Sequence, residues 1–325
     1  MAVWIASAAR PRYSAAMSAT PDDLFRSPDH YLQAFDAQNA LFVPMDRAAY
    51  HRSIFLDRRI SPAPGMPGAV PVARLTARPA LPVSWIFHMA HCGSTLLARA
   101  LDDPAGSLVL REPQSLRQTA LGDHSRLPLV LAMLGKRYRD DAPTVVKANV
   151  PVNFILPQIA EADLRARAIL LHLPLRAYLL AILRSDFHRN WVRNVTGLLA
   201  QHLGDLSALS DAERAAALWL AQMDRFAEAL AAMPNAVALN AETLFADPAP
   251  VLKHAAHHLG VPIADAALDA AVAGPLFATY SKDPSRAFDN ADRVARNAEL
   301  ERTISPELDA AEAWISRQGR AIPIL

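Results

Sequence analysis

The sequence predicts an α/β fold, a three-layer sandwich in which helices cover both faces of a central parallel sheet and the C-terminal half is rich in helix. Two observations carry this. From Pro79 onward, short β-prone runs alternate with helical segments, and the first run passes through a glycine-bearing turn straight into a helix. The strand candidates are residues 83–88, 107–111, 144–147, 168–172 and 236–240. Their near-continuous apolar character suits strands buried on both faces. In such a sheet ligands bind outside the carboxyl ends of the strands, which gathers Gly93, Glu112, Ala148 and Leu173 at one edge.

Taken in order, residues 1–78 are rich in proline and arginine, and Ser61-Pro-Ala-Pro-Gly-Met-Pro-Gly68 is a turn-forming run. An irregular N-terminal extension is expected over 1–78, with the sandwich domain over 79–325. The first apolar residues carry no preceding positive charge, so they are not read as a secretory leader, and Met17 is a second candidate start. The apolar stretch 168–183 is interrupted by His172, Pro174 and Arg176, which suits a strand and a helix rather than a membrane span. Ser210-Asp-Ala-Glu213 is a capping box that opens a helix running to Met233, with Leu218, Met223, Phe226 and Leu230 as its apolar stripe.

Composition narrows the partners. Lysine and arginine total 33 against 32 aspartates and glutamates, so the charge balance predicts neither a nucleic-acid nor a membrane-surface partner. The single cysteine, Cys92, excludes an internal disulfide and a cysteine-built zinc site, and it fits a reducing, cytoplasmic location.

The loop His88-Met-Ala-His91-Cys92-Gly93-Ser94-Thr95-Leu96 joins the first strand to its helix. A glycine followed by two hydroxyl residues at a helix start offers backbone N–H groups and side-chain hydroxyls to an anion. A Walker A loop would place glycine at His88 and lysine at Ser94, so an ordinary ATP or GTP site is disfavoured. The string resembles the 5′-phosphosulfate loop of the PAPS-dependent sulfotransferases, P-[KR]-[ST]-G-[ST]-[ST]-[LW]-L, with His91 where that family has lysine or arginine. A second block, Asn240-Ala-Glu242-Thr-Leu-Phe-Ala-Asp247-Pro248 with Leu259-Gly260 after it, is similar to the family's Y-E-[DT]-L-x-x-[DN]-P and its following helix. The chain is therefore identified as resembling a divergent, bacterial-type member of that family, with a P-loop fold.

The resemblance implies PAPS as co-substrate, no metal, and transfer of a sulfuryl group to a hydroxyl or amine of a small-molecule or peptide acceptor. A homodimer is compatible with it. It implies that Cys92, Gly93, Ser94, Thr95 and Leu96 cradle the 5′-phosphosulfate, that Glu112 is the general base, and that His91 and Lys147 stabilise charge. The family's 3′-phosphate clamp, R-x-P-x-x-x-x-x-S, falls on His172, Pro174 and Leu180, so both of its ligands are replaced. Arg176, Arg184, Ser185 or Arg189 remain to enter the site from the following helix, and Arg184 and Arg189 lie on different faces if that helix is continuous. Lys282 and Arg286, in a polar basic loop at 279–286, are the other candidates.

Structural roles compete at several positions. Glu112 has the alternative of pairing with Arg111, and Lys147 that of an exposed strand-end lysine. Glu242 is expected to fix a strand-to-helix corner, and Cys92 to pack. His254, His257 and His258 share a helix face at metal-compatible spacing but lack a nearby carboxylate. Two other functions remain beside sulfuryl transfer. One is a divergent P-loop kinase or ATP hydrolase, which predicts a strand-end aspartate and an arginine-rich lid. The other is a non-catalytic nucleotide-binding or interaction protein.

Overall fold

The structure is a computed structural model, described for residues 20–319 and 321–323. Its centre is a five-stranded, all-parallel sheet formed by β4 (Val83–His88), β5 (Val109–Arg111), β6 (Thr144–Lys147), β7 (Ala168–His172) and β8 (Ala236–Asn240), ordered β5-β6-β4-β7-β8. Every residue of β4, β5 and β6 is buried, because helices close both faces. Trp85 and Phe87 point to one face and stack at 5.3 Å between ring centroids.

Topology sets the site. From β4 the chain crosses to β5 on one side, and from β6 it crosses past β4 to β7 on the other, so β4 and β6 are neighbours whose connections leave in opposite directions. That reversal opens a crevice at their carboxyl ends. Register then places Lys147 beside Ile86 of β4 and beside Arg111 of β5.

Residues 20–78 are not irregular. They form a helix (Pro21–Arg26), a second helix (Arg47–Arg52) and an antiparallel sheet of β1 (His30–Phe35), β2 (Asn39–Pro44) and β3 (Gly68–Pro71). Tyr31, Leu32, Phe35 and Phe42 belong to the same buried cluster as the central strands, so one core runs across residue 78. Hydrophobic burial outweighs the proline content here, and the longest stretch without regular structure is the run before Gly68. A buried ion pair fastens this part to the sheet. Asp102 accepts from Arg47 at 2.6 Å and from Arg111 at 2.5 Å, and Arg111 also donates to the carbonyls of Tyr50, His51 and Ser53.

The later helices follow their sequence signals. Ser210 caps the helix Asp211–Ala232 with both capping-box bonds. The polar segment expected as a loop at 279–286 is instead a hairpin, β9 (Thr279–Tyr280) with β10 (Asp283–Ala287), held by Tyr280 packing edge-on to Phe288 at 5.4 Å. The C-terminal helix Asn290–Arg317 kinks at Ile304, just before Pro306. Among the described residues no helix is long and apolar enough to cross a membrane.

Candidate active site

Two non-glycine residues of the described chain have positive φ, His91 at 61° and Glu112 at 56°, and both lie at the crevice. Side chains resist this conformation, at a cost of about 1 kcal/mol or more each, so the surrounding contacts must impose it. Glu112 is imposed by Lys147 twice: its N–H donates to the Lys147 carbonyl at 2.8 Å, and its Oε1 accepts from the Lys147 ammonium. Lys147 is fully buried, while the Glu112 side chain is 17% exposed. Burial would raise the Glu112 pKa, but Lys147 foremost, with His88 and then Lys282 behind it, holds it at about 2. Glu112 is thus paired with Lys147 rather than with Arg111, which is spent on Asp102.

The loop is built tightly. Gly93 has φ 80°, and a Cβ there would lie 2.9 Å from Cζ of Phe245, so only glycine fits under that ring. The Cys92 thiol donates to the Met89 carbonyl at 2.9 Å, and burial pushes its pKa up to about 11. It packs and is not poised as a nucleophile. Ser94, Thr95 and Leu96 are buried, and Thr95 Oγ1 has no hydrogen-bond partner. A second orphan, Oδ1 of buried Asn149, lies two residues beyond Lys147. Buried polar atoms of this kind normally find a partner.

His91 departs from its expected charge. Burial first, then Lys282, His188 and Arg184, push its pKa well below the usual imidazole value, so it is neutral at pH 7. Its ring lies 4.6 Å from that of His188 and 6.1 Å from that of Trp191. His188 is neutral too, lowered to about 4 by burial and Arg184, and it accepts from Arg184 at 2.8 Å while its other nitrogen meets the Ser185 hydroxyl at 2.6 Å.

The positive charge comes from elsewhere. Arg99 of the loop's own helix donates to the Ser281 carbonyl at 2.9 Å, which fixes the hairpin turn over the crevice and with it Lys282. Lys282 is an exposed residue by surface area, yet its ammonium is sufficiently surrounded that desolvation lowers its pKa to about 8, with Glu112 opposing and Lys147 adding to the drop. Arg184 is depressed by burial and by Arg296 and Arg286, with Tyr280 opposing. Arg286 stacks on Tyr280 at 5.0 Å, and Arg296 donates to the Tyr280 hydroxyl at 2.8 Å. Among the described residues none of Lys282, Arg184, Arg286 and Arg296 forms an ion pair with a carboxylate. Their mutual repulsion favours an anion between them.

Other candidates are placed outside this group. Arg176 is consumed by Glu301 and Glu312, and Arg189 by Glu307. The helix is interrupted at Ser185, which begins the next one. His172 ends β7 half-buried, its pKa lowered by desolvation, and Leu180 is buried in the core. Glu242 binds Arg293 through both oxygens at 3.0 and 2.7 Å, while the corner itself is capped by Asn240. His258 faces the Ala168 carbonyl at 3.2 Å, and among the described residues no group of three His, Cys, Asp or Glu has metal-binding geometry.

Sequence reading alone did not identify Phe245, His188 or Arg296 as parts of this site. Each arrives from an element far along the chain, and no local pattern marks it. On the other side of Glu112 lies Phe55, with the Arg59 guanidinium 3.7 Å and the Lys147 ammonium 5.7 Å from its ring centroid. This wall comes from the segment expected to be irregular.

No protein-family model and no curated protein matches the chain. Among solved structures, it is similar to the sulfotransferase domain from the curacin biosynthetic pathway, with TM-score 0.42 and 14% identity over 76% of this chain and 100% of that one. It is similar also to a sulfotransferase from Alicyclobacillus acidocaldarius, with TM-score 0.39 and 16% identity over 74% of this chain and 97% of that one.

Proposed function

We propose that the crevice transfers a sulfuryl group from a nucleotide phosphosulfate such as PAPS to an acceptor hydroxyl or amine, with Glu112 as general base. The observation that carries the reading is the Glu112–Lys147 pair. It puts a partly buried carboxylate and a buried ammonium in contact at the switch point of the sheet, on strained backbone, beside an anion-sized loop.

The residues suit the donor. Thr95 Oγ1 is a buried hydroxyl without a partner, and among the described residues Lys282, Arg184, Arg286 and Arg296 form no ion pair with a carboxylate. The hydroxyl donates to a phosphosulfate oxygen, while the four cations take the place of the clamp lost at His172 and Leu180. Bound there, the donor supplies the sulfuryl group and keeps on its phosphate the electron pair of the broken S–O bond.

The chain does the rest. A carboxylate held at about 2 is a poor base, so the pair must open. When Lys147 exchanges Glu112 for an anionic oxygen, Glu112 is left in a buried setting that raises its proton affinity. It then takes the acceptor's proton as the acceptor oxygen or nitrogen bonds to sulfur. Lys282 and Lys147 face the charge that develops on the sulfonate and the departing phosphate. Neutral His91 serves as a hydrogen-bond donor, and gains a proton only if an anion outweighs the cations around it.

Thermal-shift measurements with adenosine 3′,5′-bisphosphate, ADP and ATP–Mg²⁺ test the reading. At 100 times its Kd a ligand stabilises the fold by about 2.7 kcal/mol. Stabilisation by the bisphosphate ahead of ADP is expected; a response to ATP–Mg²⁺ with none to the bisphosphate overturns the proposal in favour of ATP chemistry.

A further inference from the structure

A cavity of about 300 Å³ lies away from the crevice, between the helix Pro21–Arg26, the extended residues 78–82, and the helix Leu127–Leu134 with the turn after it. Phe25, Pro79, Leu81 and Ala132 form its apolar wall, and Arg26, Arg78, Lys136, Arg137 and Asp140 complete its lining. Leu81 is 51% exposed, so the cavity opens to solvent.

Lys136 is the unusual member. It is 4% exposed, donates to the carbonyls of Leu24 at 2.9 Å and of His30, and forms no ion pair among the described residues. Two of its three ammonium protons are placed on neutral acceptors, and among the described residues no carboxylate is in contact with it. Lysines are seldom buried in this state, because desolvating a charge is costly unless an opposite charge is near. The carboxylate closest in effect, Asp29, is already bonded to the Tyr138 hydroxyl at 2.6 Å. Arg78 is taken by Asp22 and lies over the Phe25 ring, and Arg137 bonds the Pro82 carbonyl at 2.8 Å. Among the described residues Arg26 forms no ion pair with a carboxylate.

We propose that this cavity is a second binding site, for a small carboxylate with an apolar body, its charge on Lys136 and Arg26 and its body against Phe25, Leu81 and Ala132. The volume is at the small end of ligand pockets, which suits a compact molecule. Occupation gives Lys136 its counter-charge and ties the first helix to the turn at 136–140, independently of the sulfuryl-transfer reading.

Proton linkage distinguishes this from loose adsorption. Burial lowers the Lys136 pKa to about 7, opposed by Asp29. The charged and titratable groups around it are Asp22, Arg26, Asp29 and His30 from the first segment, Arg78, and Arg137, Tyr138 and Asp140 from the turn. An anion stabilises the ammonium, so binding at pH 8 takes up a proton.

The test is calorimetry on the full chain at pH 8, in two buffers of different ionisation enthalpy, with hexanoate, benzoate, inorganic phosphate and benzyl alcohol as probes. Hexanoate or benzoate is expected to bind with proton uptake, about tenfold more weakly to Arg26→Ala and Lys136→Met, and unchanged to Glu112→Gln. Absence of carboxylate binding at about 10 mM, binding without proton uptake, equal binding of benzyl alcohol, or preference for phosphate overturns the proposal. If Lys136→Met does not fold, Arg26→Ala and the proton count decide.

Discussion

Lys147 holds Glu112 at both ends, its carbonyl accepting the Glu112 N–H at 2.8 Å and its ammonium donating to the Glu112 carboxylate. Backbone and side chain are thereby locked together, and the left-handed conformation at Glu112 is the geometric consequence. Replacing the carboxylate by an amide, Glu112→Gln, keeps an acceptor but strips Lys147 of its counter-charge. Turnover is expected to fall by about 10²–10⁴ while bisphosphate binding persists. Stability drops by about 1–3 kcal/mol, read from urea unfolding. Unchanged turnover removes Glu112 from the mechanism.

Acid should weaken the fold through two carboxylates. Glu112 and Asp102 are both held at about 2, below their ordinary values of 4.5 and 3.8; burial opposes the drop in both, which comes from Lys147 foremost at Glu112 and from the His51 hydrogen bond, then Arg111 and Arg47, at Asp102. The unfolded chain therefore binds their protons first. Their contribution is complete above about pH 4.5 and is lost as pH falls toward 2. Unfolding free energies across this window should fall less steeply in Glu112→Gln and in Asp102→Asn than in the parent; identical slopes would refute the assignment.

Alkali acts in opposite senses on binding and on folding through Lys282. Its pKa of about 8 lies below the ordinary 10.5, so the unfolded chain binds the proton more tightly and stability rises between those values. Bisphosphate affinity should instead decline as pH rises through about 8, since the ammonium is what meets the anion. Lys282→Met should abolish that inflection, measured by titration calorimetry, and an unaltered profile would show that Lys282 does not contact the ligand.

Gly93→Ala combines a side chain at φ 80° with a Cβ 2.9 Å from the Phe245 ring. A loss of about 1–3 kcal/mol is expected. Adding Phe245→Leu should return the steric part and leave the backbone part, which a double-mutant cycle separates. Strict additivity would mean that the ring does not enforce the glycine.

Four central strands were legible to the residue because they are short, apolar, β-prone runs, three of them largely buried and β8 a half-buried edge, whereas β5 begins at Val109 rather than at 107. Glu112 and Lys147 were legible for the same reason: each ends or follows such a strand. The first antiparallel sheet was not. Its pairing shifts register between Leu32 and Ala34, which breaks the alternation that marks a strand, and its neighbours are prolines. The charge of His91 was also hidden, since it depends on burial first and then on Lys282, His188 and Arg184, all of which act only through tertiary packing.

Arg111 and Glu112 are consecutive, yet they answer to different parts of the molecule. Arg111 gives its guanidinium to Asp102 and to carbonyls at residues 50–53, and Glu112 gives its carboxylate to Lys147. One peptide bond thus joins the anchor of the first helices to the candidate base. A change in the packing of residues 47–53 is transmitted to the carboxylate through a single rigid link. Variation in the early chain is therefore expected to reach the Glu112 carboxylate as well as the surface it alters, because both hang on adjacent residues.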